Sequence, residues 1–99
     1  MRLWIDDIRM APKGYIWCKS VYAARDEIVT AEIQGRPYTL IDIDHDAGEY
    51  VSQGGDYIRL LDWLEETGRN YPIRIHSMNP VGVENMRRII RRNGWEEVR

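Results

Sequence analysis

The sequence has one cysteine, no phenylalanine and no apolar run near the roughly 20 residues that a membrane-spanning helix needs. Its single thiol, Cys18, cannot form an internal disulfide, which indicates a reducing, cytoplasmic environment. No N-terminal stretch has the apolar segment of a signal peptide. We therefore expect neither secretion nor membrane insertion.

Several common ligand-binding signatures are also missing. The chain has no Gly-x-Gly-x-x-Gly or Walker-type loop, which argues against an ordinary nucleotide cofactor. No cysteine and histidine spacing resembles a structural zinc site. With 99 residues, 43% of them hydrophobic and 30% charged, the composition is typical of a single globular domain covering 1–99.

Hydrophobic periodicity predicts short strands that alternate with helices. The predicted strands are 2–6, 15–18, 38–44 and 72–76, with a short edge strand at 95–98. The predicted helices are 21–33, 57–67 and 81–93. Ser20 and Asp56 are the expected N-caps of the first two. Helical crossovers of this length favour an α/β fold with a mostly parallel sheet of four or five strands.

Polar side chains follow three of the predicted strands where each strand ends. They comprise four carboxylates, two imidazoles, a hydroxyl and an amide, from Asp6, Asp7, Asp44, His45, Asp46, His76, Ser77 and Asn79. Because the carboxyl ends of parallel strands meet at one edge of a sheet, and ligands bind there, we expect these groups to share one cleft.

The carboxylates are the candidate metal ligands. Oxygen donors suit Mg²⁺ or Mn²⁺, and Asp6, Asp7 and Asp44 could hold one such ion. Strand alternation predicts that Asp44 and Asp46 point to one side and His45 to the other. Like charges this close require either a cation or one acid that stays protonated. The alternative is a turn with solvated acids.

The third polar segment supplies candidates for proton transfer and phosphate binding. His76 could act as a general acid or base, because imidazole titrates near neutral pH. Ser77 and Asn79 could donate hydrogen bonds to phosphate oxygens beside the start of the last helix. A buried histidine whose nitrogens bond to the backbone is the competing interpretation.

Charge is distributed unevenly along the chain. Residues 1–56 carry six Lys or Arg against ten Asp or Glu, whereas residues 69–99 carry seven Arg against three Glu. The last predicted helix holds four of these arginines, Arg87, Arg88, Arg91 and Arg92. An acidic region beside a basic one suits a bound cation together with an anionic ligand, but on charge alone ordinary surface charge on helices is the favoured interpretation.

Three motifs together resemble the cyclic-phosphate-processing receiver-like domains. They are LWIDDIR at 3–9 followed by Pro12 and Gly14, DHDAG at 44–48, and HSMNPVG at 76–82. These domains are small relatives of two-component receiver domains, proposed to act on cyclic phosphate ends in RNA or related nucleotides. The resemblance implies a three-layer, receiver-like (flavodoxin-like) fold. It also implies a metal edge of Asp6, Asp7 and Asp44, with His45, Asp46 and His76 as added chemistry.

We therefore expect a metal-dependent phosphodiesterase acting on RNA ends or nucleotides. The main alternative is a non-catalytic module, for example a phage or defence-associated accessory, that binds a nucleotide signal or a partner protein. A phosphoacceptor receiver would use Asp44 and Ser77 and would also need a lysine after the last strand. Residues 95–99 contain no lysine, so phosphorelay is disfavoured.

Overall fold

The computed structural model describes all 99 residues. Five strands form one sheet in the order β2-β1-β3-β4-β5, and every neighbouring pair is parallel. The strands are β1 Arg2–Ile5, β2 Tyr15–Cys18, β3 Leu40–Ile43, β4 Ile73–Ile75 and β5 Glu97–Val98. The helices are α1 Val21–Ile33, α2 Ile58–Glu66 and α3 Pro80–Asn93, with a 3₁₀ turn at Gly48–Tyr50. The predicted α/β receiver-like fold is confirmed. None of the helices has the length and apolarity to cross a bilayer.

All three helices pack on the same face of the sheet. Alternate strand residues, including Leu3, Ile41 and Ile73, stand in register and join the buried faces of the helices in one apolar core. The helices α1, α2 and α3 connect β2 to β3, β3 to β4 and β4 to β5, and each connection moves in the same direction across the sheet. Because such crossovers are right-handed, connections that move in one direction place their helices on one face. The domain therefore has two layers, and the prediction of three was wrong.

The loop between β1 and β2 explains the missing layer. The connection from β1 to β2 moves across the sheet in the opposite direction, so a helix in it would lie on the second face. Residues 6–14 form no helix, and the second face therefore has none. The loop instead lies against two tryptophans of the second face. The indole N–H of Trp4 donates to the Arg9 carbonyl at 2.9 Å, and that of Trp17 donates to the Asp6 carbonyl at 2.7 Å.

Of the two predicted helix N-caps, one is confirmed and the other is wrong. Ser20 caps α1 as predicted, its hydroxyl accepting from the Ala23 N–H at 3.0 Å. The Asp56 cap was wrong, because α2 begins after Tyr57 without a side-chain cap. Asp56 instead accepts from the Ala47 N–H at 2.9 Å. It thereby fixes the segment after β3, which carries the candidate site.

The arginines of α3 do not lie at the carboxyl ends of the strands. The helix begins there and runs toward the opposite edge, where its last turns carry the basic residues. Three of the four arginines pair with glutamates, in the contacts Arg87–Glu97, Arg91–Glu84 and Arg92–Glu65. This cluster therefore stabilises helix packing and does not face the acidic strand ends.

The ion pair between Arg69 and Glu32 makes the unfolding free energy depend on pH. The Arg69 guanidinium donates to Glu32 at 2.9 Å and, with the Tyr71 hydroxyl, holds the pKa of Glu32 below its ordinary value. A depressed folded-state pKa contributes stability above the unfolded pKa, and this is lost as pH falls through the folded value. We expect Glu32→Gln to lower the unfolding free energy by about 1 kcal/mol at pH 7 and by less at pH 3.

Urea unfolding at the two pH values measures this difference. Glu66→Gln is the matched control, because Glu66 is exposed and makes no ion pair. An equal loss for Glu32→Gln at both pH values would contradict the assignment.

Candidate functional site

Three carboxylates converge at the carboxyl edge of the sheet. Asp6 and Asp7 follow β1, and Asp44 follows β3, which is the neighbouring strand. One oxygen from each of the three lies within 4.8 Å of the others. The structure thus brings together two segments that are far apart in sequence, as the strand-end pattern predicted.

The carboxylates of this acidic triad differ in their electrostatics. Burial raises the pKa of Asp7, and the charges of Asp6 and Asp44 raise it further. Burial alone would raise the pKa of Asp6, but hydrogen bonds from the Ile8 and Arg9 N–H groups and from His76 lower it overall. Three oxygen donors with unrelieved repulsion form a set that can hold a hard divalent ion.

His76 lies between two buried carboxylates. Its Nε2 is 2.9 Å from Asp6 Oδ2 and its Nδ1 is 2.6 Å from Asp42 Oδ1. The ring stacks on Trp4 with centroids 3.8 Å apart and planes inclined by 5°. Both contacts are donated hydrogen bonds only when the ring carries both protons. Neither nitrogen is free to reach a ligand, and the ring holds Asp6 in place.

Asp42 is the site residue that sequence reasoning missed. It is fully buried in the middle of β3, in register with Trp4 and Arg74 on the face opposite the helices. Besides His76, its partner is Arg74, whose guanidinium lies 3.4 Å from Oδ2. The available signal was an acid inside an apolar strand, because buried acids are rare unless paired. Because Asp42 lies among the apolar residues of β3, the strand was interpreted from those residues alone.

His45 has the accessible ring nitrogen. Its Nδ1 is 2.9 Å from Asp46 Oδ1, whereas Nε2 has no hydrogen-bond partner and is not sealed from solvent. The expected alternation of Asp44 and Asp46 was wrong because β3 ends at Ile43. Asp46 lies on the surface as the partner of His45 and does not join the acidic triad.

Ser77 and Asn79 build the start of α3. The Ser77 hydroxyl accepts from the Asn79 N–H at 3.2 Å, and Asn79 Oδ1 accepts from the Gly82 N–H at 3.0 Å. Asn79 Nδ2 lies 3.5 Å from both Asp46 Oδ1 and His45 Nδ1. The segment after β4 thus touches the segment after β3, and the three strand ends form one surface.

Two glycines allow close packing around these groups. A Cβ on Gly82 would lie 2.5 Å from Cγ of His45. Gly48 has a positive φ of 55°, and a Cβ there would meet the Asp7 carboxylate. Any larger residue would displace a site side chain at either position.

Comparison with known families agrees with this geometry. A family model described as the cyclic-phosphate processing receiver domain matches residues 1–92. The chain belongs to this family. No curated protein and no solved structure shows significant similarity to it. The family description links this receiver domain to cyclic-phosphate processing, and the acidic triad supplies a place where a cation for such chemistry could be held.

We predict that Asp42 and His76 are energetically coupled. Asp42→Asn and His76→Gln should each lower the unfolding free energy by about 3 kcal/mol, because each leaves a buried partner unsatisfied. The double variant should cost less than the sum by about 1–3 kcal/mol. Chemical denaturation of the four proteins measures the coupling, and additive losses would contradict it. Arg74→Ala is the comparison, with an expected loss below about 1 kcal/mol because that side chain is 48% exposed.

We predict that Gly82→Ala moves the His45 ring while the fold persists. Alanine is the better helix former by about 1 kcal/mol, so α3 should remain, but its methyl group needs the space of the imidazole. The chain has two histidines, and NMR should show shifted ring signals for His45 alone. Arg88→Ala is the control, since Arg88 is an exposed residue of the same helix and forms no ion pair. Unchanged His45 signals would contradict the contact.

Proposed function

We propose that this receiver domain processes cyclic phosphate or phosphodiester groups at RNA ends or in nucleotides, using Mg²⁺ or Mn²⁺ held by Asp6, Asp7 and Asp44. The observation that carries the proposal is the convergence of these carboxylates at one sheet edge, where His45 follows Asp44 and has no hydrogen-bond partner at Nε2. Membership of the cyclic-phosphate processing family supports the choice of phosphate chemistry.

The three acids are suited to ligation because each is restrained. Asp6 is held by two backbone N–H groups and by His76, Asp7 packs against Gly48, and Asp44 Oδ1 accepts from the His45 N–H at 2.7 Å. A bound cation would polarise a phosphoryl oxygen and orient water. Because the carboxylates are already positioned, little side-chain entropy would be lost on binding.

His45 is the residue we assign to proton transfer. Asp46 orients its ring through Nδ1, which leaves Nε2 for the substrate, in the manner of a carboxylate-supported general acid or base. In hydrolysis of a 2′,3′-cyclic phosphate, water adds to phosphorus and the bond to one ribose oxygen breaks. That oxygen takes a proton, and the product is a phosphomonoester with a free neighbouring hydroxyl.

His76, Ser77 and Asn79 have supporting roles in this proposal. His76 links Asp42 to Asp6 and acts as a positioning residue rather than as a proton carrier. Ser77 and Asn79 shape the start of α3, where the Gly82 and Val83 N–H groups already donate to Asn79 and Pro80 has no N–H, so that the Val81 N–H is the one left for a phosphate oxygen.

The openness of the site favours the end of a polymer or an exposed nucleotide. The surface cavity of the protein is elsewhere, between α1 and α2, and is lined by Arg25, Asp26, Val29, Thr30 and Trp63. The acidic triad is separate from this cavity, and although Asp6 is buried, Asp7 and Asp44 are only half-buried and reach the surface. A substrate presented from outside suits such a surface.

The test is turnover of an RNA oligonucleotide ending in a 2′,3′-cyclic phosphate, with Mn²⁺ or Mg²⁺ added. We expect Asp44→Asn to abolish both calorimetric Mn²⁺ binding and turnover. His45→Gln should retain the metal and lose about 10²- to 10⁴-fold in kcat. Asp26→Asn, at an exposed position on α1, should change neither.

Two results would contradict this assignment in different ways. Ligand binding without product, in wild type with either metal, would identify a non-catalytic nucleotide-binding module. Full activity in His45→Gln would remove His45 from the reaction and return proton transfer to another group.

A further inference from the structure

Four exposed apolar side chains lie within five residues of candidate site residues in the sequence. We call this set the apolar rim, and it consists of Ile8, Val51, Met78 and Val81. Their exposed fractions are 81%, 49%, 84% and 71%. Single exposed apolar residues are ordinary, but four around one site indicate a binding surface.

The rim residues come from the same three segments that deliver the polar groups. Ile8 follows Asp7 directly, Met78 and Val81 flank the Asn79 cap of α3, and Val51 ends the 3₁₀ turn that packs on Asp7. The fold therefore carries exposed apolar side chains on the same segments as the candidate site residues. It does so without burying any of the four side chains in the core.

We propose that the apolar rim is a base-binding subsite, which contacts the base of the terminal nucleotide while its phosphate lies at the acidic triad. This inference rests on the proposed function. The β1 and β4 strands are separated only by β3, so their ends lie about 10 Å apart. Ile8 and Met78 each lie three residues beyond these strand ends, so they belong to segments that leave the sheet on either side of Asp44.

The charge distribution supports a base rather than a longer phosphate backbone as the main source of affinity. Proteins that track a polyanion do so with free Lys and Arg side chains, and this affinity falls steeply with salt. Here most arginines of α3 pair with glutamates and lie toward the opposite edge. Arg9 and Lys19 follow β1 and β2, are exposed and form no ion pair, and two such cations suit a single terminal phosphate better than a long backbone.

The chemistry of the rim also predicts its selectivity. Its side chains have no hydrogen-bonding groups, so they cannot read the donor and acceptor pattern of a base. Affinity should instead follow the apolar area that is covered, and purines should bind more tightly than pyrimidines. Adenine and guanine should differ little.

The experiment compares the four 2′,3′-cyclic nucleotides with the base-free 2′,3′-cyclic phosphate of 1-O-methylribose, in Mn²⁺. Both turnover and calorimetric binding are measured. We expect the base-free compound to bind about tenfold more weakly than the adenine nucleotide. Met78→Ser and Ile8→Ser should raise KM severalfold for the nucleotides but not for the base-free compound, with kcat unchanged.

Ile33→Ser is the matched control. Ile33 is 82% exposed and ends α1, at the edge opposite the site. It should leave every constant unchanged, because the same loss of exposed apolar surface occurs far from the substrate.

Each outcome is informative about one of the two proposals. Equal KM values with and without a base, with turnover intact, would overturn the subsite and leave the proposed function standing. Binding with the expected base dependence but no turnover would support the subsite and contradict catalysis. Absence of binding by all five compounds would overturn both. Sedimentation showing a dimer that dissociates in Met78→Ser would assign the rim to self-association instead.

Discussion

The structure depends on a chain of hydrogen bonds from Asp42 through His76 to Asp6. Two carboxylates within 2.6 and 2.9 Å of one imidazole, all largely removed from solvent, are stable only as a paired set. Trp4 fixes the plane of the ring. This arrangement ties β4 to β3 and β1 at the edge where the site forms. It also determines where the Asp6 carboxylate points, and hence whether three acids can face one ion.

The uncovered face of the sheet is what makes this chain of contacts possible. With all helices on one side, the other face carries Trp4, Asp42 and Arg74 in place of an apolar layer. The β1–β2 loop shields part of that face through the indole contacts of Trp4 and Trp17. His76 therefore has room to lie over Asp42, which a helix packed on this face would remove. The absence of a helix between β1 and β2 thus accounts both for the two layers and for the contact of His76 with Asp42.

Helix caps, helix bounds and the polar ends of strands depend on residues that are close in sequence, and most of these features were predicted. Ser20 caps α1, α1 spans the predicted residues 21–33, and Asp6 and Asp44 reach one edge because β1 and β3 are parallel neighbours. Pairing between distant side chains could not be inferred in this way. Asp42 and His76 are 34 positions apart, and no local sequence pattern indicates that they form a hydrogen bond. The layer count failed because a loop replaced a crossover helix that the resemblance implied.

The central claim is that Asp6, Asp7 and Asp44 act together as one cation site. Anomalous diffraction from crystals soaked in MnCl₂ tests it most directly. The account predicts one strong peak at the carboxyl edge, with an oxygen of each of the three carboxylates within about 2.3 Å of the ion. Manganese bound elsewhere, for example at the exposed Asp46, with no density among the three acids would contradict it.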